Sequence, residues 1–333
     1  MRVRMWCEFL KPEEVCRDFV IEIFKKYNVH LNYKVEYMDF TDEFYNMIKI
    51  YNDNNIPISI WATLSDDMGY WINEANVDKF GDYVHNIVDI LDKRGLKIYG
   101  LCIDMEPPYN LVMKLVNPKN IFDKFAFYAT LATKNLNVKK YNYAKEKLAE
   151  ISEFMRLKGL ESYTAITRET YYDVRFDTEF VQNALETPVY GIPWDKYNLM
   201  YYGTMMRKAL KDYSSDEVDY FIYRQIKLFK EKLGDNVSVS VGVTNIGKLG
   251  NEPYYDNMED FYRDVGVLKA CKIEDISIFS LDGILTPEKL DSFIKGAYDS
   301  IPYIPPVCKR VIEDENKKSK LMNIAKAYYK LFK

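Results

Sequence analysis

Short apolar runs alternate with longer amphipathic stretches along the 333 residues. The runs predict strands at Val3–Phe9, Leu31–Tyr37, Pro57–Leu64, Ile98–Glu106, Tyr163–Thr167, Tyr197–Tyr202, Val237–Val243 and Asp275–Leu281. The stretches between them carry helical stripes. In Ser214–Leu233 the apolar residues Val218, Phe221, Ile222, Ile226, Phe229 and Leu233 fall on one face. Ser214 with Glu217 forms a capping box at the start of that stripe, and Gly234 stands just past its end. A second stripe runs from Val77 through Phe80, Val84, Ile87 and Val88 to Leu91, before Gly95. A third, Leu290, Phe293, Ile294 and Ala297, follows Thr286 as N-cap and Pro287 at the first helical position.

Eight strand-then-helix units without a long hairpin signal predict an α/β chain folded as a single (β/α)8 TIM barrel. An open doubly wound sheet is the alternative, but no Gly-rich phosphate loop follows the first strand. The barrel is expected over residues 1–300, with 301–333 as a C-terminal helical extension packed on it, its helix near Ser319–Phe332. The fourth βα connection, Pro107 to about Ser162, is enlarged and must hold a loop plus a helix such as Tyr141–Lys158. Tyr171–Asp195 reads as irregular and aromatic.

A content of 48% hydrophobic and 29% charged residues is enough for a large core, and a formal net charge of −4 argues against nucleic-acid and anionic-membrane partners. Five scattered cysteines without a C-x-x-C pair read as reduced thiols. No apolar run reaches the length of a membrane span, and the N-terminus has no signal-peptide pattern, so a cytoplasmic location is expected. His30 and His85 are too few for the usual metal-dependent barrel chemistries; neither a metal nor a cofactor is expected.

The fourth strand ends Asp104-Met-Glu106-Pro-Pro. Strand side chains alternate, so Asp104 and Glu106 share a face, and two acids in a partly dry site cannot both ionise freely. Barrel chemistry sits at the C-terminal strand ends. Those ends carry Glu8, Tyr37, Trp61, Asp104, Glu106, Arg168, Glu169, Tyr202, Asn245 and Asp282. Strands four and six are both even-numbered, so Asp104 and Tyr202 can approach one another inside the barrel. The plainer alternative is an internal salt bridge of Asp104 or Glu106 with Arg168 or Arg4.

With these residues in place, the chain resembles the family 18 glycoside hydrolases, the chitinase-like barrels. The likeness rests on Asp104-x-Glu106, on Asp195-Lys-Tyr-Asn-Leu-Met200-Tyr-Tyr202, on Val-Ser-Val-Gly242-Val, and on Ile-Ser-Ile-Phe279-Ser-Leu-Asp282-Gly. It implies Glu106 as general acid, Asp104 as the residue orienting a substrate 2-acetamido group, and Tyr202 as a hydrogen-bond donor to the carbonyl oxygen of that group. Trp6, Glu8, Trp61, Met200, Phe279 and Asp282 would contact the substrate, a glycan containing N-acetylhexosamine. The chain departs from the family pattern at Tyr99 and Cys102, where further aspartates are usual. It departs again at Ser59-Ile-Trp61-Ala and at Phe279, where a tryptophan usually floors the sugar site. No carboxylate lies on Val237–Asn245, so a double displacement needs its nucleophile from elsewhere in the protein or from the substrate. Three functions stay open: a substrate-assisted retaining glycosidase, a hydrolase pairing Glu106 with a carboxylate such as Glu8, Glu169 or Asp282, and a non-catalytic sugar-binding barrel.

Overall fold

All eight apolar runs become strands of one closed parallel barrel. A computed structural model describes residues 1–108, 111–112, 136–245, 250 and 252–330. Its strands are β1 (Arg2–Cys7), β2 (His30–Glu36), β3 (Ile58–Thr63), β4 (Gly100–Met105), β5 (Glu161–Ile166), β6 (Lys196–Met200), β7 (Val237–Gly242) and β8 (Asp275–Phe279), each paired with its sequence neighbours and β8 with β1. This is a (β/α)8 TIM barrel. The strands are trimmed at their ends relative to the apolar runs, because pairing stops where the chain leaves for a loop.

Alternation divides every strand between two environments. Val3 and Met5, Ile58 and Ile60, Leu101 and Ile103, Val239 and Val241, and Ile276 and Ile278 point outward into the layer shared with the helices. Burial favours the folded chain by ~1.5–3 kcal/mol for each such side chain, and a one-residue slip would exchange this set for the inward one. The inward set is polar at the floor of the barrel. There the buried Arg4 meets both carboxylate oxygens of Asp275 at 2.8 and 2.9 Å and Glu161 at 2.7 Å. Its guanidinium lies 4.3 Å from the centre of the Tyr163 ring. Tyr163 in turn hydrogen-bonds Ser238 and Ser277, and Asn198 donates to Ser240. Above the floor, Trp6, Trp61, Cys102, Tyr163 and Ala165 form an aromatic layer with Met200 and Phe279 against it.

The helices end as their punctuation requires. Ser215–Leu233 begins at Ser214, whose hydroxyl accepts from the Glu217 amide at 3.2 Å while the Glu217 carboxylate accepts from the Ser214 amide at 2.8 Å. Pro287–Asp299 starts at Thr286 and Val77–Lys93 stops just before Gly95, whose φ is +65°. In the fourth connection the helix runs Val138–Leu157; most of 107–135 lies outside the described residues.

Two expectations need correction. The segment 171–195 contains two short helices, Thr170–Phe176 and Phe180–Leu185. Asp173 caps the second one, accepting from the Val181 and Gln182 amides at 3.1 and 2.8 Å. The last helix runs Lys309–Tyr329, ten residues ahead of its expected start, because its polar first turns carry contacts rather than an apolar stripe. Glu315 is bound there by Arg175 at 3.3 Å and Arg224 at 2.8 Å, and Tyr329 accepts from Asn183 at 3.1 Å. Among the described residues no helix is long and apolar enough to cross a membrane.

Removing Asp275 leaves Arg4 charged in the barrel floor. Asp275→Ala is expected to lower the unfolding free energy by about 3–5 kcal/mol, and adding Arg4→Met should recover part of that loss. Denaturant titration of the two variants checks this, and equal losses would show that the stranded charge is not the cause.

Candidate active site

The acidic end of β4 is set in place by its neighbours. Gly100 opens the strand where a Cβ would lie 2.2 Å from the Glu161 carbonyl oxygen. At the other end, the loop between β3 and the helix Val77–Lys93 lies alongside β4: the Ile72 amide donates to the Asp104 carbonyl at 3.0 Å, and the Glu106 amide donates to the Ile72 carbonyl at 3.2 Å. That loop turns at Gly69, with φ +102°, and is stapled by the Asn76 side chain, which donates to the carbonyls of Met68 at 3.1 Å and Trp71 at 2.9 Å. Asp104 and Glu106 thus face the barrel axis at its C-terminal rim, with Asp104 buried and Glu106 partly exposed.

Three acids act on one another here. Burial pushes Asp104 up to about 8, the Glu8 charge pushes the same way, and a hydrogen bond with the Trp71 side chain opposes both. Burial raises Glu106 well above the usual carboxylate range, and the charges of Asp104, Glu169 and Glu8 add to it. The Tyr202 phenol is raised by burial, then by Asp104, Glu106 and Glu8. Glu8, Asp104 and Glu106 thus act on one another, and Tyr202 feels all three.

The salt-bridge alternative does not form. Arg4 is committed to Asp275 and Glu161 on the floor, and the Arg168 Nε pairs with Glu169 at 2.9 Å. Among the described residues no lysine or arginine forms an ion pair with Asp104 or Glu106, and one oxygen of Asp104 is buried without a hydrogen-bond partner. An acid left in that condition keeps its proton, which makes it a donor at neutral pH.

The other expected site residues fall into two groups. Phe279 and Met200 are partly exposed, with the Phe279 ring 5.4 Å from that of Tyr202. Gly242 of β7 makes room for that pair: a Cβ there would come within 2.6 Å of the Phe279 carbonyl oxygen and 3.2 Å of the Tyr202 ring. Trp6 and Trp61, by contrast, are only 2% and 4% exposed and pack edge to face at 5.0 Å. The Trp6 indole N–H donates to Ser240 at 3.0 Å. They form a packed floor beneath the site instead of open platforms. Asp282 also takes an inner role, its carboxylate accepting from the amides of Glu8, Phe9 and Leu10 at 3.1, 2.7 and 3.2 Å. It thereby fixes the turn that carries Glu8. Tyr37 packs on Tyr83, with 5.1 Å between ring centres, and Asn245 is the last described residue before 250.

Three residues escaped the reading of strand ends. Tyr70 donates to Glu8 at 2.9 Å, Trp71 bonds Asp104, and Lys34 stands 3.4 Å from the Tyr70 phenol oxygen. Lys34 was legible by alternation, since it shares the inward register of Asn32. Tyr70 and Trp71 lie in a loop without periodicity, where only their being aromatic beside a barrel strand end marks them. Among the described residues no group of three or more His, Cys, Asp and Glu side chains is placed to hold a metal ion. A cavity of about 510 Å³ opens at the opposite end of the barrel, lined by Met1, His30, Lys196 and Lys230 among others. Its cations are engaged, Lys230 with Asp235 at 2.6 Å and Arg2 with Glu161 at 3.0 Å, and that face of a barrel serves stability.

No protein-family model matches the sequence, and no curated protein matches it. Solved structures do resemble it in fold. The glycoside hydrolase domain of PgaB (BpsB) from Bordetella bronchiseptica superposes with a TM-score of 0.52 at 10% identity, covering 88% of this chain and 99% of that one. A family GH18 chitinase from Cycas revoluta, solved with allosamidin, gives 0.50 at 13% identity, covering 90% and 100%. A GH5-4 broad-specificity endoglucanase from Clostridum cellulovorans gives 0.50 at 12%, covering 90% and 94%. These likenesses establish a barrel fold that glycoside hydrolases also use. Fold alone does not assign chemistry, which has to come from the site.

The raised Asp104 has a consequence for stability. The native state binds this proton more tightly than the unfolded chain, so stability falls as pH rises from about 4 towards about 8. Asp104→Asn removes the ionisation and should therefore be more stable than wild type, by on the order of 2 kcal/mol near neutral pH. Thermal melts from pH 5 to pH 8 should show the gap widening with pH; a constant gap contradicts the assignment.

Proposed function

We propose that this protein is a retaining glycosidase that hydrolyses an N-acetylhexosamine-containing glycan with help from the substrate's own acetamido group. The observation that carries the reading is the meeting of two inward carboxyls and a phenol at the C-terminal rim, with the more exposed acid, Glu106, pushed well above the usual carboxylate range by burial and by the charge of Asp104. Glu106 is the general acid: it gives its proton to the glycosidic oxygen as the bond to the anomeric carbon breaks. The acetamido carbonyl oxygen attacks that carbon from the other face. Asp104 orients the acetamido group by accepting from its N–H through the carboxyl C=O oxygen, and Tyr202 donates a hydrogen bond to the acetamido carbonyl oxygen. Water then adds at the anomeric carbon, returning a proton to Glu106 and restoring the acetamido group with retention of configuration.

The site's walls support a sugar ligand. Phe279 and Tyr202 offer partly exposed rings at the mouth, and the buried Trp6 and Trp61 close the space below them. Phe279 is a smaller platform than an indole.

A second reading has one specific observation behind it. Glu8 stands inward on the same rim and its charge acts on both Asp104 and Glu106. In that scheme Glu8 is the nucleophile, and a covalent glycosyl ester would form on it. Mass spectrometry after incubation with an activated 2-fluoro glycoside separates the two, since labelling of Glu8 replaces the substrate-assisted scheme.

The central test is Glu106→Gln with chromogenic N-acetylglucosaminides and acetylated oligosaccharides. Turnover is expected to fall by about 10²–10⁴-fold, or by more, with glycan binding retained. Wild-type kcat/KM should trace a bell against pH, whose basic limb reports loss of the donor proton. Equal turnover by wild type and variant removes Glu106 from the mechanism.

A further inference from the structure

Glu8 and Asp104 come from opposite sides of the barrel, β1 and β4, yet consecutive residues of one loop hold them. Tyr70 donates its phenol proton to Glu8 Oε1 at 2.9 Å, and the side chain of Trp71 bonds Asp104. The two rings pack edge to face at 5.6 Å, both 4% exposed, and Val112 lies against them. The next residue, Ile72, is bridged to β4 through its own backbone. The loop therefore measures the spacing of the two acids with one short, stapled segment.

Glu8 is also held on its far side. Asp282 fixes the Glu8 backbone, and Lys34 lies 3.4 Å from the Tyr70 oxygen, stabilising charge on Glu8 at one remove. The charged and titratable groups around the pair are Glu8 just past β1, Lys34 on β2, Tyr70 in the loop after β3, Glu106 just past β4, Glu169 after β5, Tyr202 after β6 and Asp282 after β8.

We propose that Glu8, gripped by Tyr70, is a positioning residue for the acid pair of β4, and that Trp71, packed on Tyr70 and tied to β4 through Ile72, is its counterweight. Where the chitinase-like pattern would place acids in line behind Asp104, this chain has Cys102 and Tyr99. The controlling charge comes across the barrel instead. The balance of the two loop residues decides the pH at which the acid cluster gives up its shared proton, and so tunes Glu106. The kinetic part of the proposal rests on the glycosidase reading; the protonation part does not.

The signs differ for each variant, which a merely structural role would not reproduce. Glu8→Gln removes a negative charge beside Asp104, so Asp104 ionises more easily and its titration midpoint falls by about one pH unit. Tyr70→Phe leaves Glu8 less able to ionise, so the midpoint moves the same way by less. Trp71→Phe removes a donor to the Asp104 anion, so the midpoint rises. The measurement is carboxyl ¹³C NMR titration of Asp-labelled protein without any glycan, the Asp104 signal being assigned with Asp104→Asn, and thermal melts at each pH verifying the fold. The basic limb of the kcat/KM profile should move in step with each midpoint.

Opposite shifts for Glu8→Gln and Trp71→Phe support the proposal. Unmoved midpoints, or shifts of one sign in all three variants, overturn it. Should Trp71→Phe fail to fold, the graded shifts of Glu8→Gln and Tyr70→Phe decide in the same way. NMR shifts as expected in a wild-type protein that cleaves no glycan would keep the positioning role and sink the hydrolase reading. Hydrolysis with an unmoved limb would do the reverse.

Discussion

Two carboxyl groups on one face of β4, turned into a mouth too dry for both to ionise, set the terms for the rest of the structure. Among the described residues no arginine or lysine forms an ion pair with either of them, and the charge of Glu8 adds to their mutual influence. A protein that only needed stability would have paired them or replaced them, because buried charge without a partner is costly. The barrel keeps them, and the surrounding fold shows how it can. Closure of the sheet removes any edge along which β4 could shift, and the loop bridged to it at Ile72 ties its last residues.

The interior is layered so that this tension stays local. At the floor, Arg4 is engaged by Asp275 and Glu161, so this buried cation neutralises charges that are not part of the site. Between floor and mouth lie Trp6, Trp61 and Tyr163, a low-dielectric layer that separates the Arg4 cluster from Asp104 and Glu106. That separation is why the raised proton affinities survive. A guanidinium one layer higher would have pulled both acids down into ordinary ionisation. The indoles thus matter here as insulation and as a floor. The exposed contact surface passes to Phe279, Tyr202 and Met200.

Similarity in fold places the protein among barrels that include glycoside hydrolases, and the chemistry is argued from the residues. Three features bear on it together: an acid of raised proton affinity at the mouth, a more deeply buried acid beside it, and a phenol just past β6. Tyr99 and Cys102 place no acid in line behind Asp104, and an acid on another strand exerts that influence through space. Such a transfer of role between strands is easy in a barrel, where all eight C-terminal ends face one small volume.

Much of this was readable from the chain itself. Alternation and capping residues mark eight strands and the principal helices because they answer to local rules: which face is apolar, which hydroxyl caps an amide, which glycine ends a helix. The same alternation turns Asp104 and Glu106 together and brings Tyr202 onto the axis. What it leaves open is any property that depends on partners distant in sequence. Trp6 and Trp61 at strand ends look like stacking surfaces until their mutual packing is seen. Asp282 looks like a substrate contact until three amides of the first loop are found on it. The last helix carries few apolar residues in its first turns and is held by Glu315 through arginines 140 and 91 residues away. Tyr70 and Trp71 carry no local pattern at all. The sequence determined the barrel and the direction its acids face, since these follow from periodicity; only the tertiary structure decided which groups surround each acid, since proton affinity is set by burial and by charges that closure of the barrel brings across its axis.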